Sequence, residues 1–234
     1  MLSQGGVVAV TSLAVEARIA RGPGVSVVLG NQSSQLGARL EAAIARGASG
    51  VISFGIAGGL TPGLSAGDCI VASGVRSGKD VIATDHAWAQ NLLEAIPGAI
   101  HAEVVGVDTL LMDPLEKSRV HALTGAVAVD MESHIAAKVA FAHRMPFAAC
   151  RIIIDAAHRT LPPAAAVGLR QDGTPDVLAV CRSLLQNPSQ LRDLICTALD
   201  ARIAGRALRS ARKQLGVGLG CPDYNNFALD LAVV

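Results

Sequence analysis

The amino-acid sequence predicts one α/β domain: a single-domain three-layer sandwich with a mixed, twisted central sheet between helices. Three features predict it. Short β-branched runs alternate with longer alanine-rich stretches of helical period, the order that builds strands joined by helical crossovers. Several of the runs are apolar almost throughout, as strands covered on both faces are. Finally, 234 residues contain neither an internal repeat nor a linker long enough to mark a boundary. Residues 1–215 therefore read as one core, and a chain of this size buries roughly 70% of its unfolded surface on folding.

The predicted strands are Val7–Val10, Val25–Gly30, Val51–Gly55, Asp68–Val75, Val104–Val107, Ala126–Val129 and Phe147–Ile154. Helices are predicted over Ser34–Arg46, Trp88–Ile96, Leu115–Leu123, Glu132–Arg144, Asp176–Gln186 and Ser189–Gln214. Asp113-Pro114 reads as an N-cap followed by proline at the first helical position, and Ser189 as the cap of the last helix. The stretch Gly216–Gly220 reads as a hinge. Beyond it residues 216–234 form a tail whose apolar end, Phe227–Val234, is expected to dock on the core or at a subunit interface.

Composition excludes several classes. Hydrophobic residues make up 51% of the chain, which rules out disorder. Twenty basic and nineteen acidic side chains leave a net charge of +1, and there are only one Trp, one Tyr and four Phe. A nucleic-acid binder needs a basic face and often stacking aromatics, so no nucleic-acid partner is expected. No uncharged apolar run reaches 18 residues, so no transmembrane segment is expected, and the first residues lack the pattern of a signal peptide. Five cysteines without a Cys-x-x-Cys pair fit reduced thiols in a cytoplasmic protein. Arg202, Arg206, Arg209, Arg212 and Lys213 read as a solvated basic face near a helix C-terminus, with peripheral contact to anionic lipid or contact with a partner as the alternative.

Three segments could carry chemistry. Ser53–Gly63 follows a buried strand with glycines at 55, 58, 59 and 63. Glycines there either let a ligand approach the backbone at the strand's carboxyl end or make a tight turn; the spacing is not a dinucleotide fingerprint, which disfavours a dinucleotide-dependent oxidoreductase. Asp130-Met131-Glu132 stands at a strand-to-helix junction, where its acids either face the helix dipole or grip vicinal sugar hydroxyls. Arg151–Thr160 delivers Asp155 at the end of an apolar strand, as a cap or as a partly buried general acid.

Together the loop Gly55–Leu60 with Gly67-Asp68 after it, the Asp130-Met131-Glu132 turn and the strand ending at Asp155 resemble the nucleoside phosphorylase and nucleosidase superfamily. The likeness runs from about Val7 to the last long helix. Within it the chain is most similar, through Arg151–Pro163 and Gly220–Asp223, to the hopanoid-associated branch that acts on adenosylhopane. The resemblance implies cleavage of an adenine–ribose bond, by hydrolysis or with inorganic phosphate as co-substrate and no other cofactor. Methylthioadenosine/S-adenosylhomocysteine nucleosidase and purine nucleoside phosphorylase activities are the alternatives within the superfamily, and a non-catalytic nucleoside-binding protein is the rival outside them.

The resemblance also implies roles. Asp155 would protonate the leaving purine and Glu16 would activate water, in the two-carboxyl logic of glycosidases. Glu132 would hold the ribose hydroxyls, Met131 would pack on the sugar, Ala57 and Gly58 would line the site, and Leu110 and Leu111 would meet the base. Glu16 could otherwise be a surface acid that starts a helix. Ile154 replaces a serine usual before the acid, Leu110 and Leu111 stand where an aromatic usually stacks, and Gly30–Ser34 is a degenerate glycine-rich stretch. Arg39, Arg76 or Arg159 could supply a phosphate contact, and His158 is the one histidine near the acid. A homodimer is expected, with a partner subunit closing the site around a nucleoside that is small or lipid-linked.

Overall fold

The structure, a computed structural model, describes residues 6–30, 33–166, 174 and 176–222. In chain order the elements are β1 (Val7–Thr11), α1 (Ala14–Ala20), β2 (Val25–Leu29), α2 (Ser33–Ala45), β3 (Gly50–Gly59), β4 (Cys69–Ser77), β5 (Asp80–Ala83), α3 (His86–Ala95), β6 (Ile100–Gly106), α4 (Pro114–Thr124), β7 (Ala128–Asp130), α5 (Ser133–Ala142), β8 (Phe147–Asp155), α6 (Pro163–Ala166), α7 (Val177–Gln186) and α8 (Leu191–Leu215).

Period-two alternation along apolar strands dictates the layering. Val7 and Ala9 join one buried cluster with Ile52, Phe54, Trp88, Leu92, Leu208 and Leu215, which lie under α1, α3 and α8. Val8 and Val10 turn the other way, to Leu36, Leu40, Val51, Ala136, Ala137 and Ala140, under α2 and α5. The three-layer α/β expectation is met. Small residues on α5 let its backbone lie close to the sheet, and Trp88 is wholly buried with its indole N–H donating to the Leu219 carbonyl at 2.9 Å.

The sheet is mixed. Its order is β2-β1-β3-β7-β6-β4-β5, and β8 pairs in parallel with β3 and antiparallel with β4. The ladder β3-β7-β6-β4-β8 therefore returns to β3, so five strands close on themselves and their ends are forced together. Between β3 and β8 the register shifts at Ala57/Gly58: Ala57 faces Ile153 but Gly58 faces Asp155. Ile154 is the extra residue of a bulge, a device that re-aims the next side chain.

Several sequence expectations are corrected. The glycine-rich stretch is not a loop, because β3 continues through Gly59: with no side chains in the way, Gly58 and Gly59 still pair with β7. Asp113 caps α4, accepting from the Leu115 N–H, but Ser189 does not cap α8; it lies in a 3-10 turn and bonds Asn187. The stretch at 216–220 is not a free hinge, since Leu219 is fully buried against Trp88. Strand β5 and the short helices α1 and α6 carried too little periodicity to be predicted. The tail beyond residue 222 and the Asn31-Gln32 step lie outside the described residues. No helix among the described residues is long and apolar enough to cross a membrane.

Trp88→Phe removes a buried donor and leaves a void beside Leu219. The variant is expected to lose about 1–3 kcal/mol of stability, read as a lower denaturant midpoint; an unchanged midpoint would contradict this packing.

Candidate active site

The carboxyl ends of β1, β3, β6, β7 and β8 meet around a cleft of about 160 Å³, where open α/β sheets bind ligands. Behind it lies a buried charge cluster centred on Arg151, in the middle of β8 and fully buried. Its Nε is 2.7 Å from Asp130 and its Nη2 3.6 Å from Glu132. The same guanidinium donates to the Ser53 hydroxyl and, at 3.3 Å, to the Ile56 carbonyl. Ser133 bridges Ser53 at 2.8 Å and also bonds Asp130.

Glu16 completes the cluster from the start of α1. One carboxylate oxygen accepts from the Ile56 N–H at 2.8 Å, and the other from the Ser12 and Leu13 N–H groups, both at 2.8 Å. The Ser12 hydroxyl lies 3.2 Å from Glu16 and 3.1 Å from Glu132, joining the two acids. Gly55 is required here. A Cβ on it would stand 2.7 Å from Glu16 Oε1 and 2.8 Å from an Arg151 nitrogen, so any side chain would part the pair.

Three carboxyl groups share one guanidinium, and the electrostatics follow. Burial pushes the Glu132 carboxyl up to about 8; Arg151 works against the rise, while the negative charges of Asp130 and Glu16 add to it. Burial works against the Arg151 charge, but the carboxylates outweigh it and hold the guanidinium above its ordinary value.

The second charged pair lies at the end of β8. Asp155 is buried, and the Lys117 ammonium of α4, only 1% exposed, donates to its Oδ2. Burial raises the Asp155 carboxyl above its usual range, and the attraction of Lys117 pulls back only part of that.

Of the residues singled out from sequence, Ala57, Gly58, Leu110, Leu111, Met131, Glu132 and Asp155 all line this one cleft, with Ser12, Leu13, Ile56 and Ile154. Glu16 does not reach the lining; it stands behind Ser12 and is buried, so it is not a surface acid. The proposed phosphate contacts are elsewhere: Arg39 bonds Leu29 and Gln35, Arg76 pairs with Glu103, and Arg159 with Asp200. His158 is exposed and off the cleft. Arg151 and Lys117 escaped the sequence reading. A single charge inside the apolar run Phe147–Ile154 was a usable signal for Arg151; Lys117, among Glu116 and Arg119 on a polar helix, offered none.

A family model described as "Phosphorylase superfamily" matches residues 4–186. No curated protein matches the chain significantly. Among solved structures, Helicobacter pylori 5′-methylthioadenosine/S-adenosylhomocysteine nucleosidase is similar at TM-score 0.64 and 14% identity, over 91% of this chain and 99% of that one. Futalosine hydrolase of the same organism aligns at TM-score 0.61 and 14% identity, over 90% and 98%. The corresponding nucleosidase of Colwellia psychrerythraea, solved with adenine, aligns at 0.59 and 14%, over 92% and 97%. At this identity the likeness concerns the fold.

A carboxyl raised from 4.5 to about 8 makes stability depend on pH. Between those values folded Glu132 holds a proton that the unfolded chain has released, so its contribution falls as pH rises and levels off above about 8. Glu132→Gln keeps the neutral shape and is expected to be more pH-tolerant, its stability relative to wild type growing from pH 4.5 to 8. Parallel denaturation curves of the two proteins at all pH values would refute this titration.

Proposed function

We propose, for a chain that belongs to the phosphorylase superfamily, that it cleaves the N-glycosidic bond of an adenosyl compound and releases adenine. One observation carries the reading: Ala57-Gly58, Met131-Glu132 and Asp155, from three separate stretches of the chain, line a single apolar cleft. Glu132 in its ionised form accepts from the ribose 2′- and 3′-hydroxyls, and its charge favours the cationic sugar that forms as the bond breaks. Met131 packs on the ribose, Ala57 and Gly58 line the sugar, and Leu110 and Leu111 cover the base. Asp155 protonates N7 of the purine, and its burial keeps a proton on the carboxyl nearer to neutral pH. The nucleosidase of C. psychrerythraea, a structure of the same fold, was solved with adenine.

Water is the proposed nucleophile. No lysine or arginine is among the described residues lining the cleft to hold a phosphate. Glu16 is the base. It acts through Ser12: the hydroxyl on the cleft wall passes its proton to Glu16 as it takes one from water.

We also propose a large apolar 5′ substituent, as in adenosylhopane, a lipid precursor of hopanoid biosynthesis. Leu13, Ile56, Leu110 and Leu111 give the cleft apolar walls, and Leu110 is half exposed at its edge. The solvent side of α7 and α8 carries Leu178, Leu185, Leu191, Ile195 and Leu199 beside Arg182, Arg192, Arg202 and Arg206, which suits contact with an anionic membrane on its cytoplasmic side. A homodimer that closes the 5′ end is part of this proposal.

Purified protein is expected to release adenine from adenosyl substrates equally with and without phosphate. Asp155→Asn is expected to lower kcat about 10²–10⁴-fold while the fold persists; wild-type turnover by that variant removes Asp155 from its role, and no adenine from any adenosyl substrate defeats the reading. Substrate binding should tighten as pH rises towards 8, because ionised Glu132 is the form that accepts. The protein should cosediment with anionic but not neutral vesicles, and light scattering should give twice the chain mass; a monomer indifferent to vesicles overturns both assembly proposals.

A further inference from the structure

Lys117 is a fully buried charge that the reaction as written does not use. Its three ammonium protons meet three acceptors: Asp155 Oδ2, the Ala156 carbonyl at 3.1 Å and the Arg159 carbonyl at 3.1 Å. All three belong to the end of β8 and the turn that follows it. A lysine held only for packing would have no reason to spend each proton on this one segment, and a buried ammonium is costly unless fully paired.

The position of Lys117 is equally specific. It stands in the first turn of α4, shortly after Val107, Thr109, Leu110 and Leu111 of the cleft wall. A backbone bond from the Leu161 N–H to the Met112 carbonyl, 2.9 Å, joins the same two segments. With Oδ2 held from behind, Oδ1 is the oxygen left for the cleft, beside Gly58, where an added Cβ would sit 3.5 Å from both carboxylate oxygens. The bulge at Ile154 brings the carboxyl to this place, and Lys117 fixes its rotation.

We infer that Lys117 is the positioning residue of the general acid, orienting Asp155 towards the leaving base and neutralising the carboxylate that remains after proton transfer. The inference rests on the adenine-releasing reading above. In that step the C1′–N9 bond breaks with its electron pair passing to the purine, N7 takes the proton from Asp155, and water supplies hydroxyl to C1′ while its remaining proton passes through Ser12 to Glu16. A carboxylic acid in this apolar cleft would resist losing its proton, because the bare carboxylate left behind is poorly solvated. The ammonium removes that resistance by turning the product state into an ion pair. The other charged groups around the pair are Asp200 of α8, which opposes ionisation of Asp155, its partner Arg159, and Asp130 and Glu132 across the cleft.

Lys117→Met retains the stem and deletes the charge. Without the ammonium, Asp155 holds its proton more tightly, so the alkaline limb of the kcat profile is expected to move up by about 1–3 pH units. At the plateau kcat should fall at least 10-fold with KM little changed. Lys117→Arg, which keeps the charge, should restore the limb towards its wild-type position even if turnover stays low. Carbon-13 NMR titration of the aspartate carboxyls in the ligand-free proteins, with Asp155→Asn assigning the resonance, gives a readout independent of turnover. An upward move of the Asp155 midpoint in Lys117→Met is expected; if the wild-type protein releases no adenine, this midpoint still decides whether the pair exists. Should Lys117→Met fail to fold, Lys117→Gln, which keeps a donor but not the charge, takes its place in both measurements. A folded charge-deleting variant with a wild-type pH profile and an unmoved Asp155 midpoint overturns the inference, because a purely structural lysine would lower stability and leave both where they were.

Discussion

A guanidinium in the middle of a buried strand sets the terms for everything around it. Arg151 has no solvent to turn to, so its charge must be met by protein, and Asp130 and Glu132 of one turn and Glu16 of α1 meet it. Breaking such a pair leaves an uncompensated charge in the interior, which is far costlier than never having buried it. The cluster therefore ties β7, the start of α1 and the centre of β8 to one another. It also explains the glycine at 55, because the approach of Glu16 and Arg151 over that backbone leaves no volume for a Cβ.

Excess negative charge is the second consequence. One cation cannot balance three acids, and on Glu132, which lies farther from the guanidinium than Asp130, burial raises the carboxyl and the charges of Asp130 and Glu16 add to the rise. A carboxyl that holds its proton at neutral pH when the cleft is empty can release it when a partner worth binding arrives. The two ends of the cleft are thus built on different principles. The Glu132 end has more acids than cations, whereas the Asp155 end has one acid and one ammonium in close contact.

Sheet closure brings these ends together. The path β3-β7-β6-β4-β8 returns to its start, so Gly58, Asp130 and Asp155 cannot drift apart without breaking ladder hydrogen bonds. Strand ends hold these three residues more tightly than loops would. Of the two register shifts in the sheet, one at Ala72/Val75 and one at Ala57/Gly58, the second makes the bulge at Ile154 and falls directly before the Asp155 carboxyl on the cleft wall.

Local signals determined much of this protein. The apolar β-branched runs, the Asp113-Pro114 cap and the alanine-rich periodicity are properties of neighbouring residues, and they yielded the layers, most elements and the strand-end acids Glu132 and Asp155. Other features depended on groups distant in the chain. Whether Glu16 was a surface acid or a buried one depended on Ile56 and Ser12 offering it donors; whether 216–220 was a hinge depended on Trp88 waiting to cover Leu219. Lys117 looked like any solvated helix lysine, because a charge on a polar helix reads the same whether it faces water or a carboxylate. Tertiary structure decided those cases, since the free energy of a charged side chain is set by what surrounds it and not by its neighbours in sequence.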